Sequence, residues 1–353
     1  MTQSRGRCPV HLTASDSIYH CVKRAIAVIA LMSGVILQAQ PFQLPTANRA
    51  LLDADGGGER FFVGTVGKPW MSGTFGCVRS DGWQLHEGLD IRCLQRDKRG
   101  EPTDPILATA DGSVAYVNRK PSLSNYGSYI VLRHEIDGIE IYSTYAHLQE
   151  VRADLKPGVS VKAGENIGVM GRTANTREGI SKDRAHVHFE LSLFISESFP
   201  AWYKKTFPGQ RNDHGQWNGQ NLLGLDPRTL LLEQRRLGAK FNLVEFIQSQ
   251  TELCRVLVRS TDFPWLKRYA PLVRAGAQGE AIAGYEIALN FNGIPIEMIP
   301  RSATQIKGRS KFQLLSVSEA EQKKNPCRRL VSKRGNSWEI APRGVSLLEL
   351  LTY

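Results

Sequence analysis

From about residue 60 to 195 the chain advances in short stretches where apolar and polar positions alternate, interrupted by turn pairs such as Asp111-Gly112, Asp137-Gly138 and Pro157-Gly158. Successive side chains on a strand point to opposite faces, so this pattern predicts strands with one buried face. The clearest hairpin joins Tyr129-Ile130-Val131-Leu132 to Ile139-Glu140-Ile141-Tyr142. Its connecting Asp137-Gly138 suits the positive φ angles of a tight two-residue turn. The strictest alternation lies at 184–191, where Ala185, Val187, Phe189 and Leu191 take one face and His186, His188 and Glu190 the other. A strand here anchors itself through the first set and presents two imidazoles together on the opposite side.

Residues 196–223 break the pattern with Pro200, Trp202, Pro208 and Trp217 in a polar, glycine-containing context, and read as a long loop or insertion. Leu225 to Leu232 then closes a first domain spanning 60–235. Beyond it, strand-like stretches at Cys254–Val258 and Gly284–Phe291, with Asn292-Gly293 as a hairpin turn, predict a smaller β-rich domain over 236–353. The expected fold class is therefore mainly β: a compact antiparallel sheet domain followed by a second β-rich one. Residues 40–59 are polar, contain Pro41, Pro45 and Asp55-Gly56-Gly57-Gly58, and read as a lead-in segment without chemistry.

The N-terminus changes the picture of where the chain works. Lys23-Arg24 precedes an apolar run from Ala25 to Leu37, which reads as an export signal over 1–39. The run is well short of the ~20 apolar residues a bilayer span needs, so no stable membrane span is expected. The mature chain is expected to be periplasmic or secreted. The net charge of +11 favours an anionic surface or polymer as partner. Export argues against nucleic acid, and the basic stretch from Arg301 to Arg334 holds only Phe312 as a stacking aromatic. Four cysteines remain after the signal: Cys77, Cys93, Cys254 and Cys327. An even number in an exported chain implies two disulfides. Pairing Cys77 with Cys93 and Cys254 with Cys327 keeps each bridge inside one domain and is the expectation here.

The candidate chemistry sits in three fragments. His86 and Asp90 are four residues apart, a spacing that shares a face on an extended segment. His147 closes the hairpin strand, where Tyr145 would share its face as a pocket donor or a core residue. The third fragment is His186-Val187-His188. Together they give three candidate zinc ligands, His86, Asp90 and His188, with His147 and His186 left for proton transfer. Three protein ligands leave a fourth position for water, as catalytic zinc requires. His134 and His214 fall outside this set.

These residues, in this order, resemble the lysostaphin-type or LytM-type zinc metallopeptidases. That family carries a His-x-x-x-Asp element, a later Tyr-Ala-His-Leu and a final His-x-His-Phe-Glu, matched by His86 to Asp90, Tyr145 to Leu148 and His186 to Glu190. Ala110 to Val114 and Val161 to Gly168 also look like it. The resemblance covers about residues 60–195. It implies a compact β fold, Zn2+ held by His86, Asp90 and His188, catalytic assistance from His147 and His186, and hydrolysis of peptide cross-links in bacterial peptidoglycan. Two departures bear on the groove: a longer, charged loop from Arg177 to Arg184, and the insertion at 196–223. A non-catalytic wall-binding or hydrolase-regulating protein is the rival reading, and the complete ligand set argues against it. An amidase or a protease with another substrate stays open.

Overall fold

The computed structural model describes residues 1–2, 40–176, 179–276 and 279–353. The export signal expected over 1–39 lies outside the described residues beyond its first two positions, as do Arg177 and Glu178 of the charged loop. Among the described residues no helix is long and apolar enough to cross a membrane.

The main sheet follows from the alternating segment. The chain enters through a hairpin of β1 (Gly76–Arg79) and β2 (Gln84–His86), and continues in β3 (Leu89–Arg92), β4 (Pro105–Leu107) and β5 (Gly112–Asn118). The long hairpin is β6 (Ser128–Ile136) and β7 (Ile139–Leu148). Asp137 and Gly138 both take positive φ, 52° and 76°, as the tight turn requires. Short strands β8 (Glu150–Val151), β9 (Ser160–Val161) and β10 (Asn166–Val169) lead to β11 (His186–Phe194), the central strand. Strands β3, β5, β6, β7, β9, β11 and β12 (Leu222–Leu225) build a seven-stranded antiparallel sheet, six of them in the order β12-β11-β7-β6-β5-β9, while β1 pairs with β2 and β4, β10 and β8 form a small sheet of their own. Strand β3 shares an edge of β11 with β12, pairing with its first half as β12 pairs with its second. The fold is mainly β, with antiparallel sheets.

The C-terminal residues form a four-stranded sheet from β13 (Glu252–Val258), β14 (Ile282–Asn290), β15 (Pro295–Ser302) and β16 (Phe312–Val317), and a hairpin of β17 (Val331–Arg334) and β18 (Ser337–Ile340). The β14–β15 turn falls at Asn292-Gly293. Residues Gln40–Tyr353 cluster as one unit by their contacts.

One face of the main sheet is apolar by the alternation that the sequence carries. Val187, Phe189, Leu191 and Leu193 are fully buried, and the Tyr145 ring lies 5.4 Å from that of Phe189. Each such side chain contributes about 1.5–3 kcal/mol by leaving water, which ties β11 firmly to the core behind it.

Two expectations need correction. The stretch 196–223 is not simply a loop: Phe199–Thr206 is a helix whose Phe199, Trp202 and Tyr203 are buried. After β12, Asp226 caps a helix, Pro227–Leu237, by accepting from the Arg228 backbone N–H. The disulfide joins Cys77 to Cys327, 250 residues apart, and Cys93 and Cys254 are free and buried. The reason is topological. Cys77 pairs across its own hairpin with Leu85, whereas the strand before Cys93 leaves that hairpin for β11. The C-terminal segment folds back to the hairpin and brings Cys327 within bonding reach, so nearness in sequence was a poor guide.

Candidate metal centre

The site lies on the polar face of β11 and its two neighbours. His188 stands opposite Asp90 of β3 on one side and Ala146 of β7 on the other. His86 ends β2, and the chain crosses from that hairpin to β3 through Glu87-Gly88. A Cβ at Gly88 would come within 2.3 Å of the Phe189 carbonyl oxygen, so the crossing is possible only with glycine there.

Three ligand atoms converge. His86 Nε2 lies 3.1 Å from Asp90 Oδ1 and 3.0 Å from His188 Nδ1, and His188 Nδ1 lies 3.0 Å from the same Asp90 oxygen. All three side chains are buried. Each is also held from behind. His86 Nδ1 donates to the Thr74 carbonyl at 2.8 Å, which leaves Nε2 as the free lone pair. His188 does the reverse: its Nε2 donates to Glu190 Oε1 at 2.8 Å and frees Nδ1. Asp90 Oδ2 accepts from Arg79 Nη2 at 2.6 Å, which turns Oδ1 inward. Outer partners of this kind fix tautomer and ring orientation in metal sites. The donor set of two imidazole nitrogens and a carboxylate oxygen matches what zinc takes.

Two more imidazoles complete the cluster. His186 Nε2 lies 3.4 Å from Asp90 Oδ1, and its Nδ1 donates to the Arg184 carbonyl at 2.6 Å. His147 Nδ1 donates to the Thr173 carbonyl at 2.9 Å, and its ring centroid lies 4.9 Å from that of His186. His147 reaches this position through an unusual backbone, with φ of 64°. Non-glycine residues rarely adopt that region, and such strain tends to be kept where function holds it. The irregularity there also corrects an expectation. Tyr145 and His147 do not share a face: the pairing of β6 and β7 shifts between Ser128 and Ile130, which breaks the alternation after Tyr145. Tyr145 turns into the core, where its hydroxyl accepts from the Thr109 N–H at 2.8 Å, while His147 swings toward His186.

The electrostatics follow from burial and crowding. Burial alone would raise the Asp90 carboxyl, but His86, His186 and His188 around it outweigh that and hold it well below the ordinary carboxylate range. Burial, then the nearby His186 and His188, push His147 well below the ordinary imidazole value. Burial also lowers His186, partly offset by Asp90. Burial opposes a charge on His188 too, yet its bonds to Asp90 and Glu190 raise it to about 10. A cation held by these residues would take the place of that proton.

All five residues singled out from the sequence therefore meet at one place. His134 and His214 do not join them. The outer partners were harder to read: Glu190 was on the right face of its strand, two residues past His188, but Arg79, Thr74 and Tyr126 stand in no motif. Tyr126 donates to Glu190 Oε1 and so steadies the His188 ring from a third remove.

A buried His-Asp-His set on an antiparallel sheet, with two further imidazoles beside it, is a group that could hold a metal ion. Residues 84–198 match the sequence profile of Peptidase family M23. Among solved structures, the chain is similar to a zinc-containing peptidase from Vibrio cholerae (27% identity over 30% of this chain and 26% of that one, TM-score 0.22). It is also similar to a candidate glycyl-glycine endopeptidase lytM from Ruminococcus gnavus (31% identity, 31% of this chain and 39% of that one, TM-score 0.24). A third is the catalytic domain of lysostaphin from Staphylococcus simulans (20% identity, 45% of this chain and 87% of that one, TM-score 0.28). The chain thus spans 26% and 39% of the first two of these structures. A comparison with curated proteins finds no match.

Proposed function

We propose that this protein is an exported zinc endopeptidase that hydrolyses peptide cross-links of bacterial peptidoglycan. The observation that carries the reading is the convergence of His86 Nε2, Asp90 Oδ1 and His188 Nδ1 within the segment that matches family M23. His86, Asp90 and His188 would hold the zinc ion, which would supply Lewis acidity toward the scissile carbonyl and make water beside it more acidic. The remaining work falls to His147 and His186. Both have Nδ1 committed to a backbone carbonyl, so each neutral ring offers Nε2 only as an acceptor. Burial keeps them neutral and ready to take the proton of the attacking water. Their proximity disfavours two charges at once, so one ring carries that proton and can pass it from Nε2 to the departing amine nitrogen. The protonated ring can also donate to the developing oxyanion. Basic charge on the chain favours retention of an anionic wall polymer.

The test is digestion of purified sacculi with mass spectrometry of the released fragments and a chelator-treated control. Chelator-sensitive loss of cross-linked dimers, with the glycan-to-peptide amide intact, is the expected result. Release of whole stem peptides would identify an amidase instead, and binding without cleavage by zinc-loaded protein would identify a regulator.

A further inference from the structure

Beside the chain of contacts from His188 through Glu190 to Tyr126 lies a cavity of about 300 Å3 that shares Tyr126 as a wall. Four side-chain atoms of residues lining it are closed off from solvent and have no hydrogen-bond partner among the described residues: Ser124 Oγ, His214 Nε2, Asn292 Oδ1 and Arg328 Nε. Buried polar atoms in folded proteins nearly always have a partner, so four around one cavity call for a polar occupant. Their chemistry is mixed. Asn292 has its orientation fixed because Nδ2 donates to the Gly224 carbonyl at 2.7 Å, which leaves Oδ1 as an acceptor. Arg328 can only donate.

Charge narrows the occupant further. Arg328 is half-buried as a residue, and burial disfavours its charge while Glu87, which lines the same cavity, favours it and Arg343 opposes it. Yet the two make no ion pair with each other or with any other described residue. Ordered water would satisfy the neutral atoms, whereas a ligand carrying both charges would also pair with the acid and the base. The position is also built. Cys327, next to Arg328, is bridged to Cys77 of β1, so the disulfide seats the guanidinium against the hairpin that carries His86. One residue past His86 stands Glu87. An acid and a base that line one cavity together with neutral hydrogen-bonding groups match a ligand with both charges on one carbon.

We propose that this cavity is a subsite for an α-amino-acid head group bearing a free ammonium and a free carboxylate, on the peptide whose amide enters the metal centre. Arg328 takes the carboxylate, Glu87 the ammonium, and Asn292 Oδ1 an N–H of the same head. The inference rests on the wall-peptide reading, since stem peptides with a diamino acid can end in such a head. It adds a specificity element contributed by the C-terminal region to the catalytic one.

The experiment measures binding by calorimetry, using the zinc-loaded His147→Ala chain so that turnover does not consume the ligand. Three synthetic stem tetrapeptides serve as probes: one whose diamino acid ends in the free head, one with that carboxylate amidated, and one with that amine acetylated. Each block is expected to weaken binding about tenfold or more, the scale of a buried charge-assisted hydrogen bond. Arg328→Gln on this background should erase only the preference against amidation, and Glu87→Gln only that against acetylation, with zinc content unchanged. Equal affinity for the three peptides, binding of none, or preferences that survive both substitutions would overturn the subsite. If either variant fails to fold, the three-peptide comparison without it decides. Failure of the peptidase reading shows separately, as intact sacculi after incubation with unsubstituted zinc-loaded protein.

Discussion

The two ends of the β6–β7 hairpin both bury histidine, and they use it in opposite ways. At the turn end, His134 donates from Nδ1 to the Asp111 carbonyl at 2.8 Å and meets the Ser143 hydroxyl at 2.7 Å through Nε2. Ser143 in turn lies 3.0 Å from the Tyr145 hydroxyl, which accepts from the Thr109 N–H. Every polar atom there has a neutral partner, and nothing is left over. At the other end, His147 joins His186, His188, His86 and Asp90, where one nitrogen of each ring is tied back and the second is turned toward a common point. His134 is buried and His147 partly buried, so burial alone does not set them apart by role. What separates a structural histidine from a functional one here is the surplus of lone pairs that converge without donors to meet them.

Removing a member of the converging set should therefore cost most. Asp90→Ala or His188→Ala is expected to lose the zinc and to reduce hydrolysis by about four orders of magnitude or more, the scale on which whole catalytic groups act. Elemental analysis together with sacculus digestion checks this; unchanged zinc in both variants would put the ligand assignment aside. A smaller effect is expected at the two rings that hold no metal. His147→Ala and His186→Ala should keep the zinc and lose about 10²–10⁴ in kcat, as expected for removal of a general acid-base group. Near-normal turnover in either one would move the proton transfer elsewhere.

Next in size is the support behind the metal. Glu190→Gln removes the carboxylate that holds His188 Nε2 and releases Tyr126 from its partner. Zinc affinity should fall about 10–100-fold, with kcat of the fully loaded enzyme less affected. A chelator competition titration reads this directly. If affinity is unchanged, the ring is oriented by packing against Tyr126 alone, whose centroid lies 5.4 Å away.

Much of this contrast was legible in the sequence, and the rest was hidden for definite reasons. Alternation along 184–191 announced the strand, its buried face and the paired imidazoles, because period two is a local property. Asp137-Gly138 announced its hairpin for the same reason. The backbone of His147 was not legible, since a bulge shifts the register through contacts with β6 that no local pattern records. Arg79 reaches Asp90 from another strand of another sheet, and the Cys77–Cys327 bridge closes over 250 residues, so both depend on how the chain returns on itself. The cavity beside Tyr126 draws Glu87, Asn292 and Arg328 from distant segments and carried no motif at all.

The smallest effect on catalysis belongs to the opposite end of the hairpin, and it sharpens the comparison because its signature is stability against pH. Burial holds His134 at about 4 against an ordinary value of 6.5. Between those values the unfolded chain binds the proton that the folded chain refuses, so stability falls on acidification. The contribution is fully present above pH 6.5 and is lost as pH drops toward 4, by about 3 kcal/mol from a shift of this size. His134→Gln removes the titrating group and keeps an amide that can still donate to the Asp111 carbonyl. Urea unfolding of the two chains at a series of pH values should give a shallower loss for His134→Gln between pH 6.5 and 4, with zinc content and kcat at pH 7 near those of the parent. Acid release of zinc affects both chains alike and cancels in the difference. Parallel curves for the two chains would mean that His134 takes up its proton in the folded state, so that its end of the hairpin is more open to water than its hydrogen bonds indicate.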